Sequence, residues 1–146
     1  MLKLIDRETD AAGVREELTP QAVIEAELAK VINLGNIECA YLFSGEGLLL
    51  AGSQGRSDFN HNQALEIMYS VNDALLFIQN SPGFIAAQEI LLVAMNRRKI
   101  VVRTFPAFQQ QVSLILVIPP AHTYRSHTNR LITKIQKIGQ TVMSQA

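Results

Sequence analysis

Two stretches, Ile90-Leu91-Leu92-Val93 and Leu114-Ile115-Leu116-Val117, are apolar at every position. Side chains of an extended strand point alternately to its two faces, so a strand with one wet face alternates in polarity, and one without alternation needs cover on both. A chain built on such strands must be layered, with helices above and below its sheet. Three amphipathic stretches elsewhere in the sequence can supply that cover.

The first opens at Thr19-Pro20, where threonine can cap free backbone N–H groups and proline at the first helical position loses no hydrogen bond. Ile24, Leu28, Val31 and Ile32 form its apolar stripe, and Gly35 ends it. Ile37, Cys39, Tyr41 and Phe43 then alternate at strand spacing, and Ser44-Gly45-Glu46-Gly47 leads into Leu48 to Ala51 as a hairpin. After a polar loop from Gly52 to Asn60, the helical period returns from His61 to Gln79 and stops at Asn80-Ser81-Pro82-Gly83. Runs at Gln88 to Asn96, Lys99 to Phe105 and Val112 to Ile118 read as an antiparallel meander that ends at Pro119-Pro120. The last helix, starting near Thr123 or Ser126, carries Leu131, Ile135, Ile138 and Val142 on one face and Arg130, Lys134 and Lys137 on another. The class is α+β, in the order α-β-β-α-β-β-β-α. Residues 1–18 read as a charged arm, and residues 19–146 as one domain without a linker.

Charged residues make up 18% of the chain against an average of roughly 25%, which leaves ample apolar material for the core. Thirteen basic residues balance thirteen acidic ones, so neither nucleic acid nor anionic lipid is an expected bulk partner. The lone Cys39 cannot form an internal disulfide, and the charges at Lys3, Asp6, Arg7 and Glu8 come too early for a secretory signal. The expected setting is therefore cytoplasmic. No apolar run approaches the ~20 residues that span a bilayer, so no membrane insertion is expected.

Chemical motifs are weak. Gly45-Glu46-Gly47 and Gly52-Ser53-Gln54-Gly55 match no phosphate-cradling pattern and read as turns. His122 and His127 stand five apart, poor spacing for two ligands on one helical face, and no second cysteine completes a zinc set. Cys39 reads as a core thiol. Ser126-His127 reads as a helix cap, not as a nucleophile and its base, since no orienting acid is indicated. No cofactor, metal or catalytic residue is expected.

The second helix points to a partner. Ala64, Ile67, Met68, Val71, Leu75 and Ile78 form its inward stripe, but Leu65, Tyr69 and Leu76 form a second one. Either another segment of this chain covers them or another polypeptide does. The run Glu89 to Met95 contains no lysine, proline or other edge guard, so as an edge strand it invites strand addition; as a central strand it would not. Arg97, Arg98, Lys99 and Arg103 form one basic grouping and Arg130, Lys134 and Lys137 another, either solvated charge or a dock for an acidic protein surface.

Tyr41 to Gly52, with the sequence Tyr-Leu-Phe-Ser-Gly-Glu-Gly-Leu-Leu-Leu-Ala-Gly, is similar to the first hairpin of the Roadblock family, the dynein light-chain group whose relatives act with small Ras-like GTPases. Lys99 to Phe105 resembles that family's fourth strand, and with the element order the resemblance spans Thr19 to Val142. It implies a five-stranded antiparallel sheet with the second helix on one face, the terminal helices on the other, and Glu89 to Met95 at the edge. Members dimerise through that strand and the second helix, which carries over to Leu65, Tyr69, Leu76, Ile90, Leu92 and Ala94. The implied role is a non-catalytic dimeric adaptor or regulator. Its partners would be a second copy or a related Roadblock-like chain, and a small Ras-like GTPase or a motility, trafficking or polarity complex. The charged arm, the additional Gly45 and Pro119-Pro120 depart from the family pattern. The rival reading is a profilin-like sensory domain, similar to PAS or GAF modules, holding a small ligand in a polar-lined cavity between sheet and helix.

Overall fold

A computed structural model describes residues 18–84 and 87–145. Of the arm expected over residues 1–18, all but Leu18 lies outside the described residues. The elements run α1 (Pro20–Asn33), β1 (Cys39–Ser44), β2 (Leu49–Ser53), α2 (His61–Gln79), β3 (Glu89–Val93), β4 (Lys99–Ala107), β5 (Gln110–Ile118) and α3 (Arg125–Gln145).

Local chemistry sets the helix ends. The Thr19 hydroxyl accepts the Ala22 N–H at 3.1 Å to cap α1, with Pro20 at its first position. Asn60 and Gln63 form a reciprocal capping box at the start of α2: the Asn60 carboxamide oxygen accepts the Gln63 N–H at 3.0 Å, and Gln63 accepts the Asn60 N–H at 2.8 Å. α3 begins one residue after the buried Tyr124, whose hydroxyl donates to Glu89 at 3.2 Å. Ser126 thus stands inside α3 and does not cap it, because the anchored Tyr124 starts the helix earlier than the serine signal suggests. Gly139 lets α3 pass the β4–β5 turn closely: a Cβ there would lie 3.0 Å from the Phe108 backbone nitrogen.

The sheet is antiparallel throughout, in the order β2-β1-β5-β4-β3. α1 lies over β2 and β1, α3 packs on α1 and over β4, and α2 covers the opposite face above β1 and β5. Two apolar cores result. One joins Ile24, Leu28, Leu131 and Ile135 to Leu42, Leu114 and Leu116; the other joins Met68, Val71 and Leu75 to Cys39, Phe43, Ile115 and Val117. From Val112 to Ile118, β5 is buried at every residue, as its continuous apolar run demands. β3 has the same composition and a different fate: Leu91, Leu92 and Val93 are 39%, 46% and 61% exposed. It is the last strand of the sheet, and among the described residues no helix is centred over it.

A candidate self-association surface

The sequence leaves open whether Glu89 to Met95 is an edge; the topology makes β3 one. Its register with β4 runs from Glu89 opposite Arg103 to Val93 opposite Lys99. Just outside it, the Thr104 N–H donates to the Gln88 carbonyl at 2.9 Å and the Ala94 N–H to the Arg98 carbonyl at 2.8 Å. Hydrogen-bonded and non-bonded pairs alternate along an antiparallel ladder, so Ile90 and Leu92 turn their backbone groups toward β4. Glu89, Leu91 and Val93 turn theirs outward.

The other edge is guarded. Helix α1 sends Glu25 across the free side of β2, where its carboxylate accepts the Gly52 N–H at 2.9 Å. A side chain thus occupies the place a further strand would take. No comparable plug stands on β3 among the described residues.

Beside β3, on the α2 side of the sheet, runs an open apolar trough. Its wider part, about 610 Å³, is lined by Ile90 and Leu92 below and by Ile67, Ser70, Val71 and Ala74 of α2. It continues past Phe59 and Leu92 into a narrower recess of about 200 Å³ against Ile100 and Val117. Ser70 and Ala74 are small, which allows another helix to approach closely, and Phe77 on this outer flank is 76% exposed. The sequence reading missed Ser70, Ala74 and Phe77 because no stripe of large residues marks that flank.

The residues expected on the interface do not all meet. Ile90 and Leu92 line the trough, and Ala94 joins Leu92 in lining its narrower recess. Leu65, Tyr69 and Leu76 lie on the other flank of α2, away from β3. Tyr69 reaches the β1–β2 turn, where Gly47, at φ 91°, has no room for a Cβ beside the tyrosine hydroxyl. Leu65 is half-buried against the α2-side core, while Tyr69 and Leu76 are 51% and 62% exposed.

The basic grouping is largely spoken for. Arg98 grips Glu38 with two hydrogen bonds, at 2.7 and 3.1 Å, and reaches Asp58 at 3.4 Å, tying the β3–β4 turn to β1 and to the loop before α2. Arg103 donates to Asn129 at 2.9 Å and faces Glu89 at 3.7 Å. Arg97 and Lys99 are the members with no such tie among the described residues.

Two ionisable groups of the α2-side core are held protonated. Burial pushes the Cys39 thiol up to about 11, which keeps it protonated and unreactive near neutral pH. Burial likewise raises Tyr41 to about 12, and its hydroxyl donates to the Phe59 carbonyl at 2.7 Å. Among the described residues no cluster of His, Cys, Asp and Glu is placed to hold a metal ion, and no helix is long and apolar enough to cross a membrane. Tyr41, Phe43, Met68 and Ile115 fill the space beneath α2, where a sensory domain would hold its ligand.

Comparison of the sequence with protein-family models and with curated proteins gives no match. Solved structures do match. An MglB with a tetrameric arrangement is similar over 84% of this chain and 92% of its own, at 15% identity and a TM-score of 0.68. MglB of Myxococcus xanthus is similar over 89% of this chain and 92% of its own, at 12% identity and a TM-score of 0.64. A Roadblock/LC7 domain from Streptomyces avermitilis is similar over 77% of this chain and 97% of its own, at 14% identity and a TM-score of 0.52. At such identities the likeness establishes the fold alone: the chain has a Roadblock-like fold, as the hairpin and element order imply.

Proposed function

We propose that the chain is a non-catalytic adaptor that works as a pair of copies and regulates or scaffolds a small Ras-like GTPase or a motility, trafficking or polarity complex. The observation that carries the pairing is the unguarded β3 edge beside an apolar trough. Antiparallel pairing of Glu89–Val93 with its own copy in full overlap sets Leu91 opposite Leu91 and satisfies the outward N–H and C=O groups of Glu89, Leu91 and Val93. It also brings the partner's α2 toward the Ser70 and Ala74 flank. Burial of a large apolar side chain contributes ~1.5–3 kcal/mol, so Leu92, Val93 and Phe77 give such a pair a substantial driving force. The MglB fold neighbours, one of them in a tetrameric arrangement and another described as a gliding protein, support self-association and a place in a motility complex.

Binding to a panel of purified Ras-like GTPases, each loaded with GDP or a GTP analogue, tests the regulatory half. Nucleotide-dependent binding to at least one member is expected. Absence of binding across the panel by a chain that is dimeric would refute the GTPase reading and leave only the pairing.

A further inference from the structure

We infer that the β2-side flank of α2 is a docking surface for a second kind of protein, one that presents an apolar patch rimmed by lysine and arginine. The inference rests on the paired adaptor proposed above and assigns where its client sits. Tyr69 and Leu76 stand exposed on that flank, and the β1–β2 hairpin continues the patch with Leu48 and Leu49, 63% and 41% exposed. Leu49 stands opposite Phe43, a member of the α2-side core, so it belongs to the same face of the sheet. The contact between Tyr69 and Gly47 holds hairpin and helix together as one surface. Exposed apolar residues scattered singly need no explanation, but a contiguous set drawn from two elements does.

A second copy is a poor occupant. Strand addition at this end is blocked by Glu25 on Gly52, and in the β3-paired dimer these patches lie at the two outer ends, far from the seam. Charge indicates what does fit. Helix α2 carries neither lysine nor arginine; Asp73 lies one turn from both Tyr69 and Leu76, Glu46 stands exposed in the hairpin turn beside Gly47, and Glu66 belongs to the β3-side trough instead. An apolar centre with a carboxylate rim selects a partner with basic residues around its own apolar contact, and opposes an acidic one. Because a β3-paired dimer keeps both α2 helices on one side of the joined sheet, it offers two such docks facing the same way.

The test uses the full chain and two synthetic amphipathic helical peptides, one of leucine and lysine, the other of leucine and glutamate. The leucine–lysine peptide should bind and shift the backbone resonances of Leu48, Tyr69 and Leu76, and the leucine–glutamate peptide should not. Tyr69→Gln with Leu76→Gln should weaken binding at least about tenfold, the scale of losing one well-buried apolar anchor. Asp73→Lys should weaken the basic peptide and favour the acidic one. All these variants should keep the mass of the native dimer, whereas a β3 variant should lose the dimer and retain a peptide site on each monomer. Equal binding of both peptides, resonance shifts confined to β3, or loss of the dimer in Tyr69→Gln with Leu76→Gln would overturn the assignment.

Discussion

Replacing Leu91 by proline separates the edge from the ladder. In the paired dimer the two Leu91 residues face each other, and each donates its N–H across the seam. Proline deletes both donors and leaves the opposing carbonyls unpaired. A net hydrogen bond is worth ~0.5–1.5 kcal/mol and an unsatisfied buried polar group costs ~1–3, so the change should weaken pairing by roughly 3–6 kcal/mol, more than 100-fold. The monomer should be nearly untouched, because the Leu91 N–H makes no bond to β4 and proline is tolerated at an outward position of an edge strand. Leu92→Pro is the counterpart: it deletes an N–H that the register directs at Ile100 and should cost the monomer about 3 kcal/mol. Sedimentation velocity reads the dimer, and urea unfolding below the dissociation concentration reads the monomer. The reasoning fails if folded Leu91→Pro pairs as tightly as the native chain, or if both prolines destabilise the monomer equally.

Other consequences are quick to check. Cys39, buried and held up to about 11, should resist a thiol reagent at pH 8 in the native chain and react at once in denaturant; fast native labelling would contradict its core placement. Arg98→Ala should lower stability by about 1 kcal/mol, a loss of several degrees in melting temperature, because the two-pronged grip on Glu38 is only partly shielded from water; an unchanged melt would make that clasp decorative. Hydrogen bonding from Lys134, aided by Lys30, holds the Glu27 carboxyl below its usual value of 4.5, so that stabilisation is complete above pH 4.5 and fades as pH falls through the lowered value. The stability difference between native and Lys134→Gln chains should therefore shrink on acidification; a difference that is constant down to pH 2 would refute the linkage.

Much of this fold is legible in the residues. The Asn60 cap and the Asn80-Ser81-Pro82-Gly83 stop bracket α2, and the unbroken apolar run of β5 requires the double cover it receives. What a helical wheel does not contain is which neighbour stands on each flank. It shows that Leu65, Tyr69 and Leu76 leave the inward stripe, but only the folded chain sets Tyr69 against the β1–β2 hairpin and Ser70 and Ala74 beside β3. Small residues on an outer flank leave no hydrophobic signature, so that half of the surface was silent. The tie of Arg98 within the basic grouping is hidden for a related reason: Arg98 meets Glu38 across 60 residues, and only the folded chain brings them together. The apolar runs of β3 and β5 look alike in sequence, and strand order alone makes one an edge and the other the centre.

Self-pairing through β3 is the claim beneath the rest, and sedimentation equilibrium of the native full-length chain over a wide concentration range tests it most directly. A single species of twice the chain mass, dissociating on dilution and reduced to the chain mass by Leu91→Pro, is the expected result. A native chain that stays monomeric at high concentration would contradict it.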